Sequence, residues 1–207
     1  MILYDIEQTF PGEKIDNVAR VVHQELQANE KLHSLPKGAS IAITAGSRGI
    51  DQIVTILREV VQYLQNNGYD PFIVPSMGSH GGATADGQVE VLHHLGITED
   101  SVQAPIRSSM ETIELGMTSN SLPVYMDKLA SHADGIIIVN RVKAHTAFRG
   151  RIESGLSKMV AIGLGKQKGA SFAHSQGANS MERNIIEVTT YALEHAPICM
   201  GLAIVEN

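Results

Sequence analysis

Across residues 40–205, short apolar runs alternate with longer stretches in which apolar residues recur every three or four positions. "SIAITAG" (40–46) has the length and β-branched content of a buried strand. The next stretch, "IDQIVTILREVVQYLQNNG", sets Ile53, Ile56, Leu57, Val60, Val61 and Leu64 at helical spacing and closes on Gly68. "YDPFIVPSMG" reads as a second strand and "TADGQVEVLHHLG" as a helix ending at Gly96. "ADGIIIVNRV" (133–142) is a run of isoleucines suited to burial on both faces of a sheet. "RIESGLSKMVAIGLG" and "MERNIIEVTTYALEHA" read as helices, and 198–205 as a last strand. The first 36 residues read as a strand, a short loop and a helix of the same domain, and 97–132 as a hairpin or excursion. Strand–helix alternation predicts a mostly parallel sheet with helices on both faces, a Rossmann-like α/β domain spanning 1–207. "PICMGLAIVEN" is strand-like with no closing element after it. The expectation is therefore a fragment, or a domain cut from a longer protein.

Charge and composition narrow the classes of partner. The net charge is -6 and lysines and arginines form no runs, which argues against nucleic acid. Nothing approaches the roughly 18 consecutive apolar residues of a membrane span. "MILYDIEQTFPGEK" carries acidic residues where a secretory signal would carry lysines, so the expected location is cytoplasmic. Cys199 is the single cysteine, which excludes intrachain disulfides and thiolate-rich metal sites. Any metal must rely on histidine, carboxylates or ligands that a cofactor brings with it.

Ligands of open α/β sheets bind beyond the carboxyl ends of the strands, which directs attention to "AGSRG" (45–49), "SMGSHGGAT" (76–84) and "NRVKAHTAFRG" (140–150). His80 stands among Gly78, Gly81 and Gly82 in a strand-to-helix turn whose backbone N–H groups could cradle an anion. A plain tight turn containing a histidine is the alternative. The glycine spacing matches neither the dinucleotide nor the phosphate-loop fingerprint, and "GLGKQKG" (163–169) has the wrong spacing and follows a helix. Lys158 lies on a segment apolar nearly all round, with Leu156, Met159, Val160 and Gly163 on one stripe. Burial would lower its pKa and make it a nucleophile or attachment point, whereas snorkelling to water would leave it ordinary. His145 follows the isoleucine strand beside Arg141, Lys143, Arg149 and Arg151, a local positive field. His174 sits in "KGASFAHSQGANS", read as a small-residue loop where core packing is not its job. His23, His33, His93, His94, His132 and His195 read as structural or surface residues. Two histidines near one carbon can act as general acid and base from opposite faces, which suits a racemase or epimerase.

"SMGSHGGAT", "NRVKAHTAFRGRIESGLSKMVAIGLGKQKGA" and "AHSQG" together resemble the lactate racemase family, in its N-terminal domain, through most of residues 40–207. The resemblance implies a two-domain enzyme with its site in the cleft between α/β domains, of which this chain would be the N-terminal domain, the C-terminal domain being absent from it. It implies a nickel-pincer nucleotide, with nickel held through two sulfurs and a ring carbon, attached covalently to a lysine that matches Lys158. By the same resemblance His174 completes nickel coordination, His80 and His145 act as acid and base, and Arg48 faces the bound anion, with Gly81 and Gly82 beside it in cofactor binding. The implied reaction is racemisation or epimerisation of a small 2-hydroxy acid by proton-coupled hydride transfer. Maturation proteins would load the cofactor, the isolated domain would be inactive, and a homo-oligomer is compatible with this picture. Three features differ from the racemases: "FRGRIES" lengthens the link from His145 to Lys158, "GSRGI" lacks an acidic residue ahead of the arginine, and glycines flank His80. They bear on the substrate, which could be larger or more acidic than lactate.

Two other readings stay open on the residues. One is another metal-dependent isomerase or lyase on the same fold. The other is an anion- or nucleotide-binding module without chemistry. A mass adduct on Lys158 separates the first from the pincer reading, and loss of activity on changing His80 or His145 excludes the second.

Overall fold

The computed structural model describes residues 4, 7, 12, 14–144, 150–175, 177 and 180–206, excepting the side chains of His174 and Ser175. Four strands form one sheet: β1 (Ser40–Ala45), β2 (Asp70–Pro75), β5 (Gly135–Val142) and β6 (Ile198–Val205), in the order β2-β1-β5-β6. Every pairing in it is parallel, from Ser40↔Asp70 through Ile41↔Gly135 to Val142↔Val205. A short antiparallel pair, β3 (Thr112–Met117) and β4 (Pro123–Asp127), fills the 97–132 region as the expected hairpin.

Alternation along the strands divides the core into two layers. Ile41, Ile43, Ile137 and Val139 face one side, where they meet α1 (Val18–Gln27) and α3 (Ile53–Asn66) through Val22, Leu26, Leu57, Val60, Val61 and Leu64. Ala42, Ile136 and Ile138 face the other, where they meet Met159, Val160, Leu164 and Ala192. Helix α4 (Ala85–His94) follows the loop after β2, and α2 (Glu30–His33), α5 (Glu99–Val102) and α6 (Lys128–Ser131) are single-turn connectors. The expected strand near the N-terminus falls mostly outside the described residues. Among the described residues no helix is long and apolar enough to cross a membrane.

The segment expected to be one helix over 151–165 is divided. Helix α7 (Gly155–Lys158) passes into a π turn at Met159–Gly163, closed by Leu164 N–H donating to Met159 O at 2.8 Å. A new helix, α8 (Lys166–Ser175), then replaces the small-residue loop expected around His174, and α9 (Met181–His195) follows. Small residues permit this break because backbones must touch there. A Cβ on Gly163 would lie 2.7 Å from Ser76 O, and Gly78 N–H donates to Gly163 O at 3.2 Å. The π turn therefore lies against the chain just beyond β2, and Met159 reaches to within 3.1 Å of where a Cβ on Gly46 would stand.

Candidate functional site

The strand order turns around between β1 and β5: the connection from β1 leads outward to β2, and that from β5 leads outward to β6. Such a switch point opens a crevice at the carboxyl ends of the strands. Pairing of β1 with β5 stops at Ile43↔Ile137, and beyond it Thr44 Oγ1 takes the Val139 N–H at 2.9 Å. The loops after β1, β2 and β5 all leave at this edge. The loop after β1 brings Ser47 and Arg48, the loop after β2 brings His80, and Lys143 follows β5.

His80 Nδ1 lies 2.5 Å from Ser47 Oγ, a bond that joins the first two loops. Partial burial of the ring, then the positive charges of Arg48 and Lys158, lowers its pKa from the ordinary histidine value. Lys158 is half-buried, and its own pKa is lowered by that burial, then by Lys143 and Arg48. Arg48 acts on both His80 and Lys158, and Lys143 acts on Lys158, so these four residues form one electropositive cluster drawn from three loops and a helix. The lowered lysine pKa favours the buried, reactive reading of this side chain over snorkelling.

Other expectations need redrawing. Arg141 does not contribute to the field, because its guanidinium is paired with Glu206 at 2.5 Å. Arg151 is exposed, and its backbone N–H donates to Glu182. His145 and Arg149 lie outside the described residues. The ends of that loop are tied, with Lys143 N–H donating to Ser154 Oγ at 2.7 Å and the Ser154 hydroxyl donating back to the Lys143 carbonyl. His174 lies on α8, one helix beyond the π turn that follows Lys158.

The glycines beside His80 have separate reasons. A Cβ on Gly81 would stand 2.6 Å from the Gly87 carbonyl, and both Gly81 and Gly82 have φ near +64°. Gly81 thus lets the first turn of α4 close over the loop, where Thr84 Oγ1 caps it by accepting from Gly87 N–H at 3.1 Å. Gly82 has nothing within 4 Å of its Cβ position and opens to space. The close approach to this loop's backbone is made, at Gly81, by the protein's own helix.

Residues that the sequence reading passed over stand behind the cluster. Ser47 was unremarkable in "AGSRG". Gln88 and Asp127 were not singled out, and Lys166 was set aside with the phosphate-loop-like "GLGKQKG"; all three are fully buried. One signal was available for Gln88: it sits one helical turn before Leu92 on the buried face of α4. A separate cleft of about 1210 Å³ is lined by residues of α1, α3 and β6 and not by Arg48, His80 or Lys158.

A parallel α/β domain has its ligand-binding edge at such a switch point, and here cationic and imidazole side chains gather at it. The family model described as "Lactate racemase N-terminal domain" matches residues 7–185, so the chain belongs to that family. Its fold is also similar to that of the lactate racemase apoprotein from Thermoanaerobacterium thermosaccharolyticum, with a TM-score of 0.64 at 17% identity. That match covers 92% of this chain and 49% of the racemase, so the chain spans about half the racemase's length. No curated protein matches it by sequence.

Proposed function

We propose that this chain is the first domain of a nickel-pincer nucleotide-dependent racemase or epimerase of 2-hydroxy acids, acting in the cytoplasm. The observation that carries the reading is the meeting of Arg48, His80 and Lys158, residues matched to the family's motif, in one cluster where partial burial and then the neighbouring cations lower the pKa of His80 and of Lys158. A second domain closing the crevice, maturation proteins that load the cofactor and a 2-hydroxy acid substrate belong to the same proposal.

The residues present fit such a group. Lys158 has an amine that burial and its cationic neighbours make easier to deprotonate than an ordinary lysine's, which suits covalent attachment, and Arg48 and Lys143 beside it suit an anionic nucleotide. Lys158 would hold the cofactor by its side chain and His174 would supply an imidazole to nickel. When bound, the group supplies reversible hydride acceptance at the substrate's C2.

The chain's own part is positioning and proton movement. Arg48 binds the substrate or cofactor anion. His80, neutral at pH 7, takes the hydroxyl proton at Nε2, which requires that Nδ1–H donate to Ser47 Oγ. His145 does the same work from the opposite face. Lys158 anchors and holds no proton in transit.

Racemisation in D₂O tests the reading on the full-length, cofactor-loaded protein. Hydrogen at C2 should be retained through turnover, because it never becomes exchangeable. Racemisation with deuterium gained at C2 would show direct proton abstraction and contradict the proposal.

A further inference from the structure

Lys166, Asp127 and Gln88 have no exposed surface, and none of them belongs to the cluster described above. A lysine is almost never fully buried unless paired, and two buried charges need their remaining hydrogen-bonding positions filled. The Lys166 ammonium has three protons and meets three acceptors: Asp127 Oδ2 at 3.0 Å, Pro75 O at 2.5 Å and Gln88 Oε1 at 3.1 Å. Asp127 is fixed in turn. Its Oδ1 accepts from Ala130 N–H at 2.8 Å, and its own N–H donates to Leu164 O at 2.7 Å.

An ammonium only donates, so it decides which end of the Gln88 carboxamide faces it. With Oε1 committed to Lys166, Nε2 is left to donate to the carbonyls of Gly78, at 2.9 Å, and His80, at 3.3 Å. The flipped amide would set NH₂ against the ammonium and an oxygen against two carbonyls. The same three residues thus connect the start of α8, the end of β4 and the backbone on either side of Ser79. Lys166 itself has φ +52°, a left-handed backbone uncommon for a residue other than glycine.

We propose that Gln88, oriented by the Lys166–Asp127 ion pair, is a positioning residue that sets the His80 loop against the helices carrying Lys158 and His174. The proposal rests on reading His80 as a working residue, but its test needs neither cofactor nor substrate. Gln88→Met removes the donor to the loop, adds no charge, and leaves Lys166 with Asp127 and the Pro75 carbonyl. NMR of the His80 ring in the unliganded full chain is the readout. The titration midpoint should rise toward the ordinary value of about 6.5 as the ring leaves its partly buried place and moves away from Arg48 and Lys158. The Nδ1 shift should lose the signature of its bond to Ser47, while far-UV circular dichroism stays unchanged.

Gln88→Glu is the second variant: it keeps an acceptor for Lys166 but turns an oxygen toward the two carbonyls, and should give the same Nδ1 change. If either variant folds and keeps the wild-type midpoint and Nδ1 shift, the proposal is overturned. If neither folds, Gln88 is a stability residue of the core and the positioning claim is equally overturned. Unchanged His80 shifts would leave the racemase reading intact, and a failed racemisation assay would leave the His80 result intact.

Discussion

His80 illustrates how setting converts a common side chain into a poised one. Burial and two neighbouring cations all disfavour the imidazolium, so the folded pKa lies below the ordinary 6.5. The unfolded chain therefore binds the proton more tightly than the folded one. The stabilising contribution is complete above pH 6.5 and is lost as pH falls through the folded value. The neutral base survives into mildly acid solution for the same reason. In the cofactor-free chain the His80 ring titration followed by NMR should therefore have its midpoint below 6.5, and a midpoint at or above that value would contradict this reading of its setting. The two glycines beside it make a second residue-scale test. Gly82→Ala meets no atoms, so its cost should be that of a left-handed alanine, about 1–2 kcal/mol. Gly81→Ala meets the Gly87 backbone at 2.6 Å and should cost distinctly more by denaturant unfolding, with α4 displaced. The cluster was legible in the sequence because the strand-end rule and the motif both point at these loops. Ser47 was not, since a serine in a turn carries no pattern until the fold brings it to an imidazole.

At the scale of elements, the break between α7 and α8 is the main departure from the sequence pattern. The apolar periodicity of "GLSKMVAIGLGK" continues across residues that do not form one helix, and periodicity alone cannot register a π turn. The cause lies elsewhere in the chain: Gly163 must meet Ser76 O, and Leu164 O must receive Asp127 N–H. The burial of Lys166 is illegible in the sequence for a related reason, because its partners Asp127 and Gln88 are 39 and 78 residues away. Lys166→Met should destabilise the protein by about 3–5 kcal/mol, since it strands the Asp127 carboxylate in the core. The double variant Lys166→Met/Asp127→Asn keeps the α6 cap and removes the orphaned charge. It should recover part of that loss in urea or guanidinium unfolding, whereas an additive double would show that the pair is not coupled.

For the whole molecule, the parallel sheet and its two helical layers follow from strand–helix alternation, and isoleucines 136–138 supply both faces of the central strand. The strand order was not legible, because no local pattern says that β5 lies beside β1; that neighbour relation is what makes the switch point. The Lys158 cofactor site is the claim on which the functional account stands. Intact-mass and nickel analysis of the full-length protein, expressed with pincer-synthesis partners beside a Lys158→Ala control, addresses it most directly. The account predicts a nucleotide-sized adduct with nickel, absent from the control. An unmodified mass under conditions that load a known racemase would contradict it.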